Sequence, residues 1–411
     1  MPGLSFQNRL STWLQAIFRR EPAGENESRN ALRISALPTL EQILKRPDGL
    51  PEKYRKLFLP VPLDDEELLI GRDEQFEKLD EALKSWQEGR PTSVALIGPQ
   101  GSGKTTLVNS FLKRQAMGHE ILQREIEKRL WTEPLVLEFF CELFELEDSF
   151  VEDVESLIAR LLQAPPRLIV LEGAHNLLLR VIGGRKAAEM FFYIVLCTRK
   201  RHFWLLTCRR LPWNNMERHL GVSRYFSHVL NIDSLPPDHV LEGLKLRLAK
   251  CGLSVVFCRS KEESEKERQP EADEGDEKGD PFFRAVLANS GNNFHAALYF
   301  LLLCSRYEES TQSLFLWPPD HLDKGFVKEM DHLHLLTLAE LAGHGMLSLK
   351  EHEKIFRTND LHSKTVFEFL EQSRFVEPCI GEHDDGEKTY DLSPVIHHAV
   401  TSALEQINLL Y

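Results

Sequence analysis

A glycine-rich segment, Ser93–Leu107, carries the residues best suited to bind phosphate. Gly98, Gly103, Lys104 and Thr105 stand at the spacing Gly-x4-Gly-Lys-Thr, after an apolar run and before a helix-permitting segment. Glycines let backbone N–H groups curve around phosphate oxygens, and a helix that begins there adds the positive end of its dipole. A lysine in this position reaches the β- and γ-phosphates, and the threonine hydroxyl ligates Mg²⁺. The segment therefore predicts a nucleoside triphosphate site.

We expect the whole loop to contact the nucleotide. The predicted contacts are Gly98, Pro99, Gln100, Gly101, Ser102, Gly103, Lys104, Thr105 and Thr106. ATP is favoured over GTP because Thr207-Cys-Arg-Arg210 stands where a guanine-reading Asn-Lys-x-Asp motif would follow the third strand. The expected ligand is ATP with Mg²⁺.

A carboxylate, Glu172, follows the apolar run Arg167–Leu171. An NTPase needs one carboxylate at the tip of a neighbouring strand for Mg²⁺ and a second to polarise the attacking water. Aligned without a gap to four apolar residues followed by Asp-Glu-Ala-His, Glu172 takes the metal position and Gly173 the catalytic one. A shift of one residue makes Glu172 catalytic but puts Leu171 at the metal. The unshifted alignment keeps Ala174-His175-Asn176 in register and is favoured, and either alignment leaves one carboxylate.

The missing second carboxylate predicts slow hydrolysis. Loss of a water-polarising group lowers the rate by about 10²–10⁴, whereas binding through the loop amides, Lys104 and the metal survives. His175 and Asn176 are alternative bases. Thr207, or Cys208 next to it, ends the third predicted strand, where a polar side chain is placed to sense the γ-phosphate. The predicted catalytic residues are Lys104, Glu172 and Thr207, and the predicted metal ligands are Thr105 and Glu172.

Buried apolar strands alternate with helices from Leu68 to Ile232. A helix opens at Gly71-Arg-Asp-Glu74, residues 119–163 are mostly helical, and the strands near 93–98, 167–171, 203–207 and 228–232 are apolar. This alternation indicates a parallel sheet with helices on both faces. The predicted fold class is α/β, a P-loop NTPase three-layer sandwich followed by a helical lid and a C-terminal winged-helix domain.

Five segments are predicted. They are an amphipathic helix at 1–20, a linker at 21–60, the nucleotide-binding domain at 61–235, a helical lid at 236–325 with a disordered acidic loop at 259–280, and a winged-helix-like domain at 326–411. The periodic apolar residues of 4–20 suit a peripheral membrane contact or a partner-binding anchor, and equally a helix docked on the main domain.

Charge and composition narrow the classes of partner. The chain of 411 residues has a formal net charge of −13, and residues 331–411 hold fourteen acidic and six basic residues. DNA affinity depends on basic contacts to phosphate, so the winged helix is expected to bind protein or to gate the nucleotide domain. Seven scattered cysteines without C-x-x-C spacing, and no apolar run of about 18–20 residues, indicate a cytoplasmic location.

Taken together, the motifs resemble the AAA+ ATPases of the origin-recognition and transposition-regulator type and the related STAND NTPases. The resemblance covers roughly residues 68–400. It implies an ATP-bound state that closes the lid, and it places Gly71 and Arg72 near the adenine. It also implies a lid arginine on the γ-phosphate, in the motif Ser290–Ala297, where this sequence has His295.

Three functions remain open from the sequence. The first is an ATP-binding molecular switch with weak or partner-stimulated hydrolysis and a protein-binding winged helix. The second is a non-hydrolysing scaffold stabilised by ATP, and the third is a DNA-associated loader or transposition-type regulator. A homo-oligomer in which one subunit supplies an arginine finger is compatible with each. The candidate fingers are Arg180, Arg209, Arg210 and Arg224.

Overall fold

The computed structural model describes residues 31–46, 49–62, 68–115, 118–146, 153–265, 279–379 and 388–410. The amphipathic helix predicted at 1–20 lies outside these ranges. Within them, no helix is long and apolar enough to cross a membrane. All seven cysteines are free thiols.

The described part of the predicted linker is folded, so the prediction of a linker is wrong there. Residues 31–60 contain strand β1 (Ala31–Leu32), helix α1 (Leu40–Leu44) and helix α2 (Glu52–Phe58). Tyr54 and Phe58 are fully buried, and the Tyr54 hydroxyl donates to the carbonyl of Leu301 at 3.1 Å. The apolar residues of α2 share one helix face, a periodicity that is typical of a packed helix rather than of a linker.

The nucleotide-binding domain is a sheet with helices on both sides. Its strands are β2 (Ser93–Gly98), β3 (Glu120–Glu125), β4 (Arg167–Glu172), β5 (Phe203–Arg209) and β6 (His228–Asn231). Its helices are α3 (Asp73–Gln87), α4 (Lys104–Gln115), α5 (Glu133–Phe144), α6 (Val154–Gln163), α7 (Gly184–Thr198) and α8 (Arg210–Leu220). The strand order is β3-β4-β5-β2-β6, and every pairing is parallel. The carboxyl ends of all the strands therefore meet at one edge, where the phosphate-binding loop lies.

The two faces of this sheet carry separate cores. Ile169, Trp204 and Leu206 pack under α5 to α8, while Val94 and Val170 pack under α3 and α4. Strands β2 and β5 are buried on both faces, which accounts for their continuous apolar sequences.

Two sequence-based boundaries are wrong. Glu120–Glu125, predicted to be helical, forms strand β3 at the edge of the sheet. An edge strand has one solvent-facing side, and its mostly exposed residues carry too few apolar side chains to stand out as a strand. Strand β5 continues two residues beyond Thr207 to Arg209, because neighbouring β2 offers partners as far as Gly98.

The lid is mixed rather than all helical. It contains α9 (Pro237–Cys251), β7 (Ser254–Phe257), α10 (Lys261–Glu265), α11 (Gly279–Ser290), α12 (Phe294–Leu303), β8 (Ser305–Glu308), β9 (Ser313–Leu316) and β10 (His321–Leu322). Strands β7, β9 and β8 form a small sheet, and β1 pairs with β10. Part of the loop predicted to be disordered is the short helix α10. Residues 266–278 lie outside the described ranges.

The C-terminal unit has the predicted winged-helix order. Its elements are α13 (Phe326–Glu329), α14 (His332–His344), β11 (Leu347–Ser348), α15 (Leu349–Phe356), α16 (Asp360–Gln372), β12 (Val376–Cys379), β13 (Thr389–Leu392) and α17 (His397–Gln406). Strand β13 lies between β11 and β12 in an antiparallel sheet. The predicted fold class is confirmed: a P-loop α/β sandwich is followed by a lid and a winged helix.

Candidate nucleotide site and its contact with the winged helix

The loop between β2 and α4 has the backbone that its glycines require. Gly101 and Gly103 have φ angles of +72° and +85°, a region that side chains other than glycine rarely adopt. A Cβ atom on Gly98 would lie 2.4 Å from the carbonyl oxygen of Ile232 and 2.7 Å from Ser102 Oγ. These positions therefore accept only glycine without rearrangement.

Lys104 lies folded over this loop. Its Nζ donates to the carbonyl oxygens of Gly98 at 2.9 Å and Pro99 at 2.8 Å. Burial, followed by the charge of Arg209, lowers the pKa of Lys104 to about 7. Triphosphate oxygens would give this half-buried amino group charged partners in place of two neutral carbonyl groups, so the side chain fits its predicted role.

The predicted metal ligands are adjacent. Thr105 Oγ1 donates to Glu172 Oε2 at 2.6 Å, as the unshifted alignment requires. Gln123 Nε2 donates to the other carboxylate oxygen at 3.2 Å. Mg²⁺ keeps several water and phosphate ligands and needs only one or two protein groups. The Thr105 hydroxyl at the start of α4 and the Glu172 carboxylate at the end of β4 therefore fit this ion. The described residues contain no cluster of three or more His, Cys, Asp or Glu side chains suited to a metal.

A cavity of ≈ 250 Å³ separates the loop from the lid. Its lining includes Ile70, Arg72, Gly101, Ser102, Gly103, Lys104, Thr105, Thr106, Phe294 and His295. Arg72 is 6% exposed and donates to the carbonyls of Ser102 at 2.9 Å and Asp233 at 3.1 Å. Arg72 therefore stabilises the phosphate-binding loop from the side where the adenine is predicted to bind. Gly71 has a φ of +66° and packs behind it against His239.

The lid presents a histidine and an arginine to this cavity. Burial lowers the pKa of His295 to about 4, so its ring is neutral at pH 7. Arg247 on α9 also lines the cavity and lies 4.9 Å over the Phe294 ring. Its Nε is buried without a hydrogen-bond partner among the described residues. Sequence reasoning missed this cation because it lies outside the lid motif.

Thr207 is not at the phosphate edge. It is 3% exposed and pairs with Leu96 inside the sheet, whereas Arg209 pairs with Gly98 at the end of β2. The prediction that Thr207 ends its strand is therefore wrong, and Arg209 takes the terminal position.

Strand β13 of the winged helix contacts this edge directly. Asp391 Oδ2 lies 2.7 Å from Arg209 Nη2 and accepts from Gln100 Nε2 at 3.1 Å. Arg209 Nη1 also donates to the carbonyl of Gly345 at 2.7 Å. Burial lowers the pKa of Arg209, but the Asp391 carboxylate more than offsets this and raises it above its usual value. One carboxylate thus joins the phosphate-binding loop, the end of β5 and the winged helix.

The other candidate fingers have partners within the chain. Arg180 pairs with Glu340, Arg210 with Asp233, and Arg224 with the Tyr225 hydroxyl. The two alternative bases are buried, and neither ring nitrogen of His175 has a hydrogen-bond partner among the described residues. Asn176 Nδ2 donates to the carbonyl of Ile126 at 2.7 Å. His175 is 6% exposed and packs against Gly345, where an added Cβ atom would lie 2.4 Å from its ring.

Arg129 fastens the winged helix at a second point. Its side chain is 4% exposed and its Nε lies 2.6 Å from Glu351 Oε1. The same guanidinium donates to the carbonyls of Leu178 at 2.9 Å, of His175 at 3.2 Å and of Met346. The Arg129 side chain thus connects α15 and the start of β11 to the segment that follows β4.

We expect Arg129→Met to destabilise the protein by about 3–5 kcal/mol, because it leaves the Glu351 carboxylate buried without its partner. Urea unfolding measures this change. Arg185→Met is the matched control: it breaks an exposed pair with Glu189, which is worth at most about 1 kcal/mol. Equal losses in the two variants would contradict a clamping role for Arg129.

Glu125 is the last residue of β3. The sequence analysis did not predict this carboxylate because it did not predict the strand. It is directly opposite Glu172 in register, and its side chain is exposed. Loss of solvation beside the sheet end, followed by the Glu172 charge, raises the pKa of Glu125.

Comparison with known proteins assigns this domain. Residues 68–180 match the family model of the AAA ATPase domain. The matched range includes the phosphate-binding loop, Glu125 and Glu172. The match confirms the resemblance to AAA+ ATPases over residues 68–180.

Several relatives of this AAA ATPase domain have known sequences or structures. The ORC1-type DNA replication protein 5 of Halobacterium salinarum is 38% identical over 61 residues, which are 15% of this chain and 14% of that protein. The Aeropyrum pernix ORC1 protein, solved in complex with DNA, aligns with 87% of this chain and 98% of its own at 14% identity and a TM-score of 0.43. Cdc6p from Pyrobaculum aerophilum aligns with 86% and 98% at 12% identity and a TM-score of 0.42.

Proposed function

We propose that this protein is an ATP-dependent molecular switch in which bound nucleotide controls the position of the winged helix, with slow or partner-stimulated hydrolysis. The observation that carries the proposal is the bridge from Asp391 to both Arg209 and Gln100. A nucleotide acts on a conformational equilibrium only through contacts that differ between the two states, and we infer that this bridge is one of them.

The charges around the loop suggest how ATP would act. Arg209 lies opposite Gly98 in register, and its charge lowers the pKa of Lys104. Its guanidinium is therefore close enough to interact electrostatically with a triphosphate bound at the loop. Negative oxygens at this edge compete with Asp391 for the guanidinium, since phosphate and carboxylate bind arginine in the same geometry. We infer that ATP weakens the contact with β13 and that ADP, with fewer charges, leaves it closed.

The surface of the winged helix favours a protein as its partner. Helix α16 carries the exposed Leu361 and Phe369, and its Lys364 lies 3.9 Å from Glu368. Among residues 331–411 the acidic side chains outnumber the basic ones by fourteen to six. An acidic surface repels DNA phosphates, so release of this domain is more consistent with exposure of a protein-binding face.

Hydrogen–deuterium exchange of the full chain with Mg²⁺ and either ADP or ATPγS tests the switch. We expect faster exchange of β13 and of Gly345–Met346 with ATPγS than with ADP, and no nucleotide dependence in Lys104→Ala. Identical exchange in the two nucleotide states, together with a nucleotide-induced rise in Tm, would favour the non-hydrolysing scaffold. ATP-dependent retention on DNA near about 100 mM salt would favour the DNA-associated regulator.

A further inference from the structure

The AAA ATPase domain lacks a side chain where its second carboxylate is expected. Gly173, directly after Glu172, has a φ of +81°. A Cβ atom there would lie 3.1 Å from the carbonyl oxygen of Ile126. A glutamate at this position would therefore be strained both in its backbone and in its contacts.

The Glu125 side chain of the neighbouring strand β3 lies beside Gly173. The same added Cβ atom would lie 3.6 Å from Glu125 Cγ. Strand β3 is held in this position by the Ile126 amide, which donates to the Glu172 carbonyl at 2.8 Å, and by the Asn176 amide on the Ile126 carbonyl. The Glu125 side chain thus borders the volume that a side chain of residue 173 would enter.

The alternation of β3 directs Glu125 toward the phosphate-binding side of the sheet. Gln123, two residues earlier, donates to Asn109 Oδ1 of α4 at 3.1 Å and to Glu172. Arg124, between them, pairs with Glu142 of α5 on the opposite face. Successive strand residues point to opposite faces, so Glu125 shares the α4 face with Glu172.

Both carboxylate oxygens of Glu172 are hydrogen-bonded on the side of the predicted metal site. Its Oε2 accepts from Thr105 and its Oε1 from Gln123. The Glu125 carboxylate, by contrast, makes no side-chain hydrogen bond or ion pair with the residues that the structure describes, although its backbone pairs with β4. Two carboxylates therefore meet at the end of the sheet, one held on the metal side and one free.

We propose that Glu125 is the general base for ATP hydrolysis in this protein and replaces the carboxylate missing at Gly173. Glu125 accepts a proton from the attacking water as the water oxygen bonds to the γ-phosphorus. The bond from that phosphorus to the β,γ-bridging oxygen breaks, ADP leaves, and the proton passes on to the released phosphate or to solvent. This assignment rests on the proposed ATP binding and hydrolysis.

Single-turnover phosphate release by the full chain with Mg²⁺-ATP tests the assignment. We expect Glu125→Gln to lower the rate by about 10²–10⁴ while the affinity for ATPγS stays within about twofold, since a general base acts in the transition state rather than in the ground state. Glu125→Asp, with a shorter carboxylate, is expected to recover part of the rate. Glu127→Gln, exposed two residues further on, is the matched control and is expected to keep the wild-type rate.

Affinity for ADP with aluminium fluoride and Mg²⁺ gives a second readout that needs no turnover. This complex mimics the attacked phosphoryl group with its water, so we expect Glu125→Gln to weaken it while ADP alone binds as before. Equal affinity in wild type and Glu125→Gln, or an unchanged rate, overturns the role of Glu125 alone. Nucleotide affinity in wild type as low as in Lys104→Ala overturns ATP binding itself and this assignment with it.

Discussion

Lys104→Ala is expected to weaken the affinity for ATP by about 100-fold or more, because removal of one partner of a buried charge pair costs about 2–5 kcal/mol. Lys104 is half-buried, and among the described residues its Nζ donates to the carbonyls of Gly98 and Pro99. Bound phosphates would provide the charge that this group lacks, and alanine removes that contact while leaving the loop glycines in place.

Fluorescence titration with a labelled ATP analogue measures this loss. Lys128→Ala is the control, since it makes the same substitution at an exposed lysine on the loop after β3. Equal affinities in Lys104→Ala and Lys128→Ala would mean that the nucleotide does not bind through this loop.

Asp391→Asn is expected to release the winged helix and to speed nucleotide exchange by about 30-fold, corresponding to about 2 kcal/mol for a partly buried charge pair. The substitution keeps the shape of the side chain and removes the charge that faces Arg209 at 2.7 Å. The guanidinium is then without its carboxylate in the closed state, whereas an open state restores its hydration.

Stopped-flow displacement of a labelled ADP measures exchange, and hydrogen–deuterium exchange of β13 measures opening. Glu371→Gln is the matched control. It breaks the Lys388–Glu371 pair, which lies within the winged helix and is half exposed. Faster ADP release in both variants would indicate general loosening of the winged helix rather than a contact specific to Asp391.

Much of the nucleotide site could be predicted because its residues are contiguous. The segment Gly98–Thr105 encodes a strand end, a turn and a helix start, and local sequence is sufficient to specify that geometry. Glu172 was predicted from the end of an apolar strand, and its hydrogen bond to Thr105 at 2.6 Å follows from the parallel sheet. The catalytic and metal-binding roles of these residues stay predictions until they are measured.

The errors arose where local sequence and tertiary environment disagree. Edge strand β3 is too polar to stand out as a strand, and the helix prediction over it hid Glu125. Residues 31–60 were predicted as a linker, yet Tyr54 and Phe58 are buried against the lid. Thr207 was placed at a strand end because the apolar run stops there, but backbone pairing with β2 continues to Arg209.

Local sequence was sufficient to predict a phosphate-binding loop, a carboxylate at the end of a neighbouring strand, an α/β sandwich and a winged helix. Each depends on spacing within one element or between successive elements. The side chains that face the loop, by contrast, depend on the packing of distant elements. Asp391 reaches Gln100 across 291 residues of sequence, and Glu125 reaches the space beside Gly173 from a separate strand. Such contacts depend on how whole elements pack, and neither periodicity nor spacing along the chain encodes them.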